Sequence, residues 1–232
     1  MPIAANLQAI LAQIADTEKK AGRCPGETTL LVVSKTWPAD VVSQCVDSHH
    51  IDYGENRVQE AAEKIPLLPD HLRWHLIGHL QKNKVRKAVE LFPVIHSVDS
   101  LEMARRLDRI AGEEDRRPRI YLQVNIARED RKFGFAPETL SESASALRQL
   151  ENVDIHGLMT IPPFVEDPEK TRPHFAALRA FRDQLSEKEA WPLPGLSMGM
   201  SGDFSVAIED GATIVRVGSS IFGTRQPWPP EQ

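Results

Sequence analysis

A single lysine at the end of an apolar run is the residue best suited to covalent chemistry in this chain. The run Leu30–Val33 is followed by Ser34 and Lys35. Such a run is typical of a buried parallel strand, which would deliver the lysine to the rim of a barrel. Because desolvation there disfavours the ammonium form, a neutral amine could attack an aldehyde. Lys35 is therefore predicted to anchor a carbonyl compound as a Schiff base.

Two Gly/Ser segments near the C-terminus could hold an anion. Ser201 and Gly202 precede a helix-like segment that begins at Asp203, and Gly218 and Ser219 follow another apolar run. Glycine permits close backbone approach, and serine adds a hydroxyl donor to the backbone N–H groups of a helix start. Ordinary turns have the same composition, but both segments fall where TIM barrels often hold phosphate. No GxGxxG or Walker A pattern indicates a nucleotide instead.

An arginine within the last apolar run extends this pattern. Arg216 lies near the end of Thr213–Val217, where a buried guanidinium must be paired or must face a ligand. A salt bridge to Glu209 or Asp210 is one interpretation. The other places Arg216 against a pyridine nitrogen, which a permanently protonated guanidinium would keep unprotonated. A lysine, a phosphate site and this arginine together favour pyridoxal 5′-phosphate (PLP), a phosphorylated pyridine aldehyde, as the cofactor.

Alternating strands and helices must position these residues. The spacing of apolar residues predicts an N-terminal helix, and about eight β-α units follow it. This count favours a (β/α)8 barrel over a doubly wound sheet. The predicted fold is α/β, a single TIM barrel domain over residues 1–232 with an extra N-terminal helix and a loose tail at 226–232. The predicted strands are Thr29–Val33, His50–Tyr53, Arg73–Ile77, Val94–Val98, Arg119–Asn125, Asp154–Leu158, Gly195–Ser197 and Thr213–Val217. Residues that follow them, Gly54–Arg57 after strand two among them, are expected at the catalytic rim.

Composition excludes several other classes of protein. The net charge of −5 over 232 residues provides no field for nucleic acid or an anionic membrane, and no apolar stretch is long enough to span a bilayer. The N-terminus has no basic leader, and Cys24 and Cys45 lack a CxxC spacing. A cytoplasmic protein without nucleic-acid or membrane partners is expected.

Blocks across nearly the whole chain resemble a known family, that of the PLP homeostasis proteins, which share the barrel of the alanine racemase N-terminal domain. The resemblance runs from about strand one to Arg225. The blocks that carry it are Val33–Thr36, Tyr53–Glu60, Trp74–Lys84, His96–Ser100, Gly157–Thr160, Leu196–Ser201 and Val215–Gly218. Two departures are mild, since Tyr53 stands where phenylalanine is common and Gly202 where an acid or alanine often occurs. Gly202 could loosen the phosphate turn slightly.

The resemblance assigns roles to individual residues. It implies that Lys35 forms the Schiff base, that Arg216 meets the pyridine nitrogen, and that the segment Ser201–Gly202 binds phosphate with Gly218 and Ser219. It also implies further residues along the cofactor's face or edge, namely Asn56, His79, Ser97 and Met159. The family is taken to bind, carry and buffer PLP, with PLP-dependent apo-enzymes as acceptors, and a monomer is expected.

Three alternatives stay open from the sequence. A racemase of low activity would need a second base opposite Lys35, and the two tyrosines, Tyr53 and Tyr121, include no strong candidate. A Schiff-base aldolase would share the lysine and the phosphate site. A metal site at His71, His75 and His79 would require a helix there, whereas the pattern favours a strand without an acidic or cysteine ligand.

Overall fold

A computed structural model describes residues 2–46, 50–129 and 132–223. The chain begins with helix α1 (Ile3–Lys20), whose spacing of apolar residues places Leu7, Ile10 and Ile14 on one buried face. Lysines in its last turn suit the negative end of the helix dipole. The predicted N-terminal helix is thus confirmed.

Eight parallel strands form a closed barrel in chain order. Closure is made by the first and last strands, where Leu31 is in register with Arg216. The strands are β1 (Thr29–Val33), β2 (Asp52–Glu55), β3 (Arg73–Leu76), β4 (Val94–Val98), β5 (Arg119–Gln123), β6 (Asp154–Met159), β7 (Gly195–Met200) and β8 (Ile214–Val217). The predicted (β/α)8 barrel is confirmed.

A helix follows each strand and packs on the outside of the barrel, so the main apolar core lies between strands and helices. Ser100 caps the helix that follows β4 by accepting a hydrogen bond from the Met103 N–H, as its residue type predicts. The helices after α1 are α2 (Ala39–Val46), α3 (Val58–Lys64), α4 (Val85–Leu91), α5 (Leu101–Glu113), α6 (Pro137–Arg148), α7 (Arg172–Lys188), α8 (Phe204–Glu209) and α9 (Ser219–Phe222).

Only β1 and β4 have the predicted bounds, and among the other six strands the differences at β2 and β7 affect the rim. Strand β2 covers Asp52–Glu55 rather than His50–Tyr53, so Gly54 and Glu55 belong to the barrel wall and not to the rim loop. Gly54 permits this because its missing side chain leaves room for Leu31, whose Cδ2 would lie 3.3 Å from an added Cβ. Strand β7 is also longer than predicted and runs to Met200.

Within the described ranges, no helix is both long and apolar enough to cross a membrane. The predicted tail at 226–232 and Arg225 lie outside the described residues.

Candidate active site

Lys35 is half-buried and lies two residues after the end of β1, with Ser34 between them. Its neighbours fix its backbone: the Ser34 N–H donates to the Gly54 carbonyl over 3.1 Å. On the other side, Thr36 has a φ of +68°, a conformation that L residues with branched side chains rarely adopt. The lysine therefore leaves the strand on a tightly defined turn.

A mostly buried group of charged and polar side chains is hydrogen-bonded to that turn. We call it the lysine-strand cluster (Ser34, Glu55, Glu60 and Lys64). The Lys64 ammonium donates to the Ser34 carbonyl over 2.9 Å and to Glu55 Oε1 over 2.6 Å. The Ser34 hydroxyl donates to the same Glu55 oxygen over 2.6 Å. Glu60 accepts from Lys64 and from the Thr36 N–H. Both residues flanking Lys35 are thus bonded to one cluster.

Glu55 is the most deeply buried member of this cluster. Its side chain is fully excluded from solvent, and burial raises the pKa of its carboxyl while the Lys64 ammonium opposes that rise. In the part of the chain that the structure describes, its second oxygen, Oε2, is buried without a hydrogen-bond partner. A group of this kind can change charge near neutral pH.

The two Gly/Ser segments meet at the same rim. The Gly218 N–H donates to Ser201 Oγ over 3.2 Å, which joins the loops that follow β7 and β8. Gly218 also lies against β1, since an added Cβ would be 2.9 Å from the Val33 carbonyl oxygen. The space around Gly202 is open, and Ser219 is exposed as the first residue of α9. The predicted phosphate residues therefore gather next to the strand that carries Lys35.

Arg216 lies inside the barrel and is buried. Its guanidinium donates to the Ser197 carbonyl and to Ser197 Oγ, each over 2.7 Å, and to the Thr160 carbonyl over 2.8 Å. Burial lowers the pKa of Arg216 to about 10, which leaves it protonated at neutral pH. The predicted alternative of a salt bridge to Glu209 or Asp210 is wrong for the described residues, because both acids pair with Arg172.

The remaining predicted residues occupy the rim and the barrel interior. Asn56 is half-buried beside Gly78, and the Ser97 hydroxyl donates to the Gly78 carbonyl over 2.6 Å. Ser97 therefore holds the loop after β3 in this structure. Met159 is fully buried in a small apolar cluster inside the barrel that also contains Leu31.

His79 bridges three rim loops. Its Nδ1 lies 3.3 Å from Asp99 Oδ2, and its ring stacks on Phe133 with centroids 3.8 Å apart. His75 points elsewhere, into the buried interior, and His71 is exposed. In the residues that the structure covers, no group of histidine, cysteine and acidic side chains could hold a metal ion.

Sequence reasoning missed the residues that support this site from within. Glu55 is predicted in the rim loop after strand two, and the sequence predicts no role for Lys64. One signal could have found them: Glu60 and Lys64 are four apart on α3, the spacing of a helical ion pair. The partner Glu55 could not be found this way because it lies on a different element.

Comparisons with known proteins show the family to which the chain belongs. The family model for the N-terminal domain of alanine racemase matches residues 5–226. The pyridoxal phosphate homeostasis protein of Aquifex aeolicus is 42% identical over 221 residues, which cover 95% of this chain and 97% of that one. The chain belongs to the pyridoxal phosphate homeostasis protein family. Another member, from Pseudomonas aeruginosa, is 42% identical over 226 residues and 96% of both chains.

Solved structures give the same result for the fold. PipY of Synechococcus elongatus, solved with PLP bound, superposes with a TM-score of 0.80 at 42% identity and covers 90% of this chain and 100% of that chain. Alanine racemase of Clostridium difficile superposes with a TM-score of 0.72 at 17% identity. That match covers 94% of this chain and 57% of the racemase. The family barrel is thus shared with a larger protein.

Proposed function

We propose that this protein binds PLP as a Schiff base on Lys35 and takes part in intracellular PLP homeostasis. The observation that carries the proposal is the contact between Gly218 and Ser201 at the end of β1, which brings hydrogen-bond donors beside the lysine strand. The PLP-bound structure of PipY at 42% identity supports the same cofactor.

The described residues fit PLP at both of its ends. The phosphate would be held by Ser201, Gly202, Gly218 and Ser219, where backbone N–H groups, hydroxyls and open space at Gly202 occur together. Within the described residues, the hydrogen bonds of Arg216 use three of its five N–H groups, so it has donors left for a ring nitrogen.

The remaining assigned residues complete the proposed site. Asn56, His79, Ser97 and Met159 would lie along the face or edge of the ring, with Ser97 acting through the loop that it holds. Lys35 would hold the cofactor covalently, because its amine can form a Schiff base with an aldehyde. When bound, PLP supplies an aldehyde and an electron-withdrawing ring.

Arg216 would limit what that ring can do. A guanidinium that stays protonated donates to the ring nitrogen and offers it no proton. The ring is then a weaker electron sink, which disfavours carbanion chemistry and suits a protein that stores the cofactor.

The positions of the tyrosines support a carrier over a racemase. Tyr53 and Tyr121 are both buried, Tyr53 against Trp74 in the outer core and Tyr121 against His96 inside the barrel. Neither is placed to exchange a proton at the rim. Incubation of the holoprotein with a panel of amino acids in D2O should give no α-proton exchange, and exchange that requires Lys35 would favour the racemase.

The cellular setting is part of the proposal. A cytoplasmic monomer would pass PLP to PLP-dependent apo-enzymes. Activation of an apo-enzyme by the holoprotein, faster than by an equal concentration of free PLP, would support such transfer. Light scattering of the purified protein would test the monomer.

The absorption spectrum tests the central proposal. Wild-type protein incubated with PLP should show a Schiff-base band that borohydride removes, and Lys35→Ala should lack the band. Lys82→Ala is the matched control, because Lys82 is an exposed lysine next to the rim that pairs with Glu102. Absence of the band in the wild type, or its retention in Lys35→Ala, would refute the proposed anchor.

A further inference from the structure

A line of hydrogen-bonded side chains crosses the interior of the barrel and ends at Arg216. We call it the barrel chain (Asp52, His75, His96 and Ser197). His75 Nε2 lies 2.9 Å from Asp52 Oδ1, and His75 Nδ1 lies 2.9 Å from His96 Nε2. His96 Nδ1 lies 2.8 Å from Ser197 Oγ, which accepts from Arg216 over 2.7 Å. The line therefore connects β2, β3, β4, β7 and β8.

With both rings neutral, the Asp52 end of the line decides which way every hydrogen bond runs. A carboxylate can only accept, so His75 donates from Nε2 to Asp52, and its Nδ1, without hydrogen, accepts from His96 Nε2. His96 Nδ1 then accepts from the Ser197 hydroxyl, whose oxygen accepts from Arg216 because a guanidinium can only donate. In the reverse direction a ring nitrogen without hydrogen would face Asp52. This direction makes both histidines Nε2–H tautomers.

The charge states agree with this direction. Burial lowers the pKa of both His75 and His96, which keeps the rings neutral. Burial raises the pKa of Asp52, but hydrogen bonds from His75 and Arg73 outweigh it and lower the pKa to about 2. At neutral pH the barrel chain therefore carries one negative charge, on Asp52. Arg73 compensates this charge with two hydrogen bonds to the Asp52 carboxylate.

Packing fixes the chain in place. The His96 ring stacks on Tyr121 with centroids 4.6 Å apart and planes 15° apart. Gly195 makes room for that ring, since an added Cβ would lie 2.5 Å from Tyr121 Cε1. The interior of a TIM barrel is usually filled by apolar layers, and polar groups there are costly unless every one is bonded. The barrel chain meets that condition, because each of its members is hydrogen-bonded to the next.

We propose that Asp52, His75, His96 and Ser197 position Arg216 for the ring nitrogen of the bound cofactor. Ser197 supplies two of the three acceptors that set the plane of the guanidinium, and the histidines fix the direction of the Ser197 hydroxyl. These are positioning residues, because each acts through Arg216. The inference rests on the proposed function, since it assigns a role to Arg216 in the PLP site.

The first test measures the protonation of the two histidines of the barrel chain in the absence of cofactor. Nitrogen-15 NMR of the imidazoles in the apoprotein should show His75 and His96 as neutral Nε2–H tautomers from pH 6 to pH 8. A charged ring, or an Nδ1–H tautomer at either position, would overturn the proposal. His156 serves as the internal comparison because its ring contacts Tyr121 but it is not a member of the barrel chain.

The second test is a double-mutant cycle on PLP affinity, measured by titration of the Schiff-base band. Ser197→Ala should weaken PLP binding about tenfold, the size expected for one misplaced charged hydrogen bond. In an Arg216→Gln background the same substitution should have no further effect. The control His156→Gln should bind as the wild type does.

The outcomes separate the two proposals. If wild-type protein shows no Schiff-base band, the proposed function fails and the positioning role fails with it. If the wild type binds PLP but Ser197→Ala binds as tightly, or loses affinity equally in both backgrounds, the positioning role is refuted and the proposed function stands.

Discussion

Two buried polar groups support opposite ends of the candidate site, and they are built differently. The barrel chain runs from Asp52 to Arg216 with each described link between 2.7 and 2.9 Å. The lysine-strand cluster packs two carboxylates around one ammonium and leaves Glu55 Oε2, among the described atoms, buried without a partner. One group is saturated with hydrogen bonds and the other is not.

The difference teaches what each group can do. In the barrel chain every member is hydrogen-bonded and the groups at both ends have fixed charges, so its protons have one arrangement. Such a group suits the side of the site at Arg216, where the geometry must stay constant. An incompletely bonded carboxylate with a raised pKa has two accessible charge states near neutrality. Because its partner Lys64 also bonds the Ser34 carbonyl, a change in that charge acts on the turn that carries Lys35.

The largest expected effect comes from breaking the lysine-strand cluster. Lys64→Met should destabilise the protein by about 3 kcal/mol at pH 8, because it leaves the buried Glu55 carboxylate uncompensated. The loss should shrink at pH 5, where Glu55 can take up a proton. Urea unfolding monitored by circular dichroism measures both values.

The matched control for this prediction is Lys82→Met, which breaks an exposed ion pair with Glu102 and should change the free energy of unfolding by less than about 0.5 kcal/mol. An equal loss for Lys64→Met at pH 5 and pH 8 would show that the charge of Glu55 is not what the ammonium stabilises. The comparison between the two groups would then lose its basis.

The sequence predicted the parts of this molecule that follow from local patterns. Apolar runs alternating with amphipathic segments indicated the barrel, and strand ends indicated Lys35, Ser201 and Gly218 at one rim. These inferences need only periodicity and the rule that parallel strands end on one face. The assignment of cofactor contacts residue by residue stays a prediction.

The supporting groups could not be predicted because they depend on register between distant strands. Gly54 and Glu55 have the composition of a turn, and nothing local shows that Glu55 is enclosed by Ser34 and Lys64. Likewise, His75 and His96 are 21 residues apart and meet only because β3 and β4 are adjacent in the barrel. Buried charges are disfavoured as single residues and are stable only as sets.

An intermediate effect is expected from crowding the barrel chain. Gly195→Ala would place a Cβ 2.5 Å from Tyr121 Cε1, so the ring that stacks on His96 must shift. We expect a loss of about 2 kcal/mol in the free energy of unfolding, typical of overpacking a rigid interior. Thermal and urea unfolding measure it.

Gly202→Ala is the glycine control, because nothing lies within 4 Å of an added Cβ there. It should leave stability within about 0.5 kcal/mol of wild type. If Gly202 lies against the phosphate, the same change should still weaken PLP binding. If Gly195→Ala and Gly202→Ala were equally stable, the barrel interior around Tyr121 would accommodate the added methyl group. The barrel chain would then not be held rigidly by its packing.

The last comparison is the pH dependence of stability in the two groups. The pKa of Glu55 is raised above its ordinary value of 4.5, so the folded state binds this proton more tightly than the unfolded state does. Its contribution is therefore complete below pH 4.5 and is lost as the pH rises toward neutrality. Asp52, with its pKa lowered to about 2 from 3.8, behaves oppositely and loses its contribution only as the pH falls below 3.8.

Glu55→Gln should accordingly remove a downward slope of stability between about pH 4.5 and pH 7, on the order of 1 kcal/mol per pH unit at most. Asp52→Asn should leave that slope intact and remove the loss of stability at lower pH. Urea midpoints measured at intervals of half a pH unit would resolve the two windows. If both variants flatten the same window, the two groups titrate together, and the carboxylate beneath Lys35 is then coupled to the barrel chain rather than independent of it.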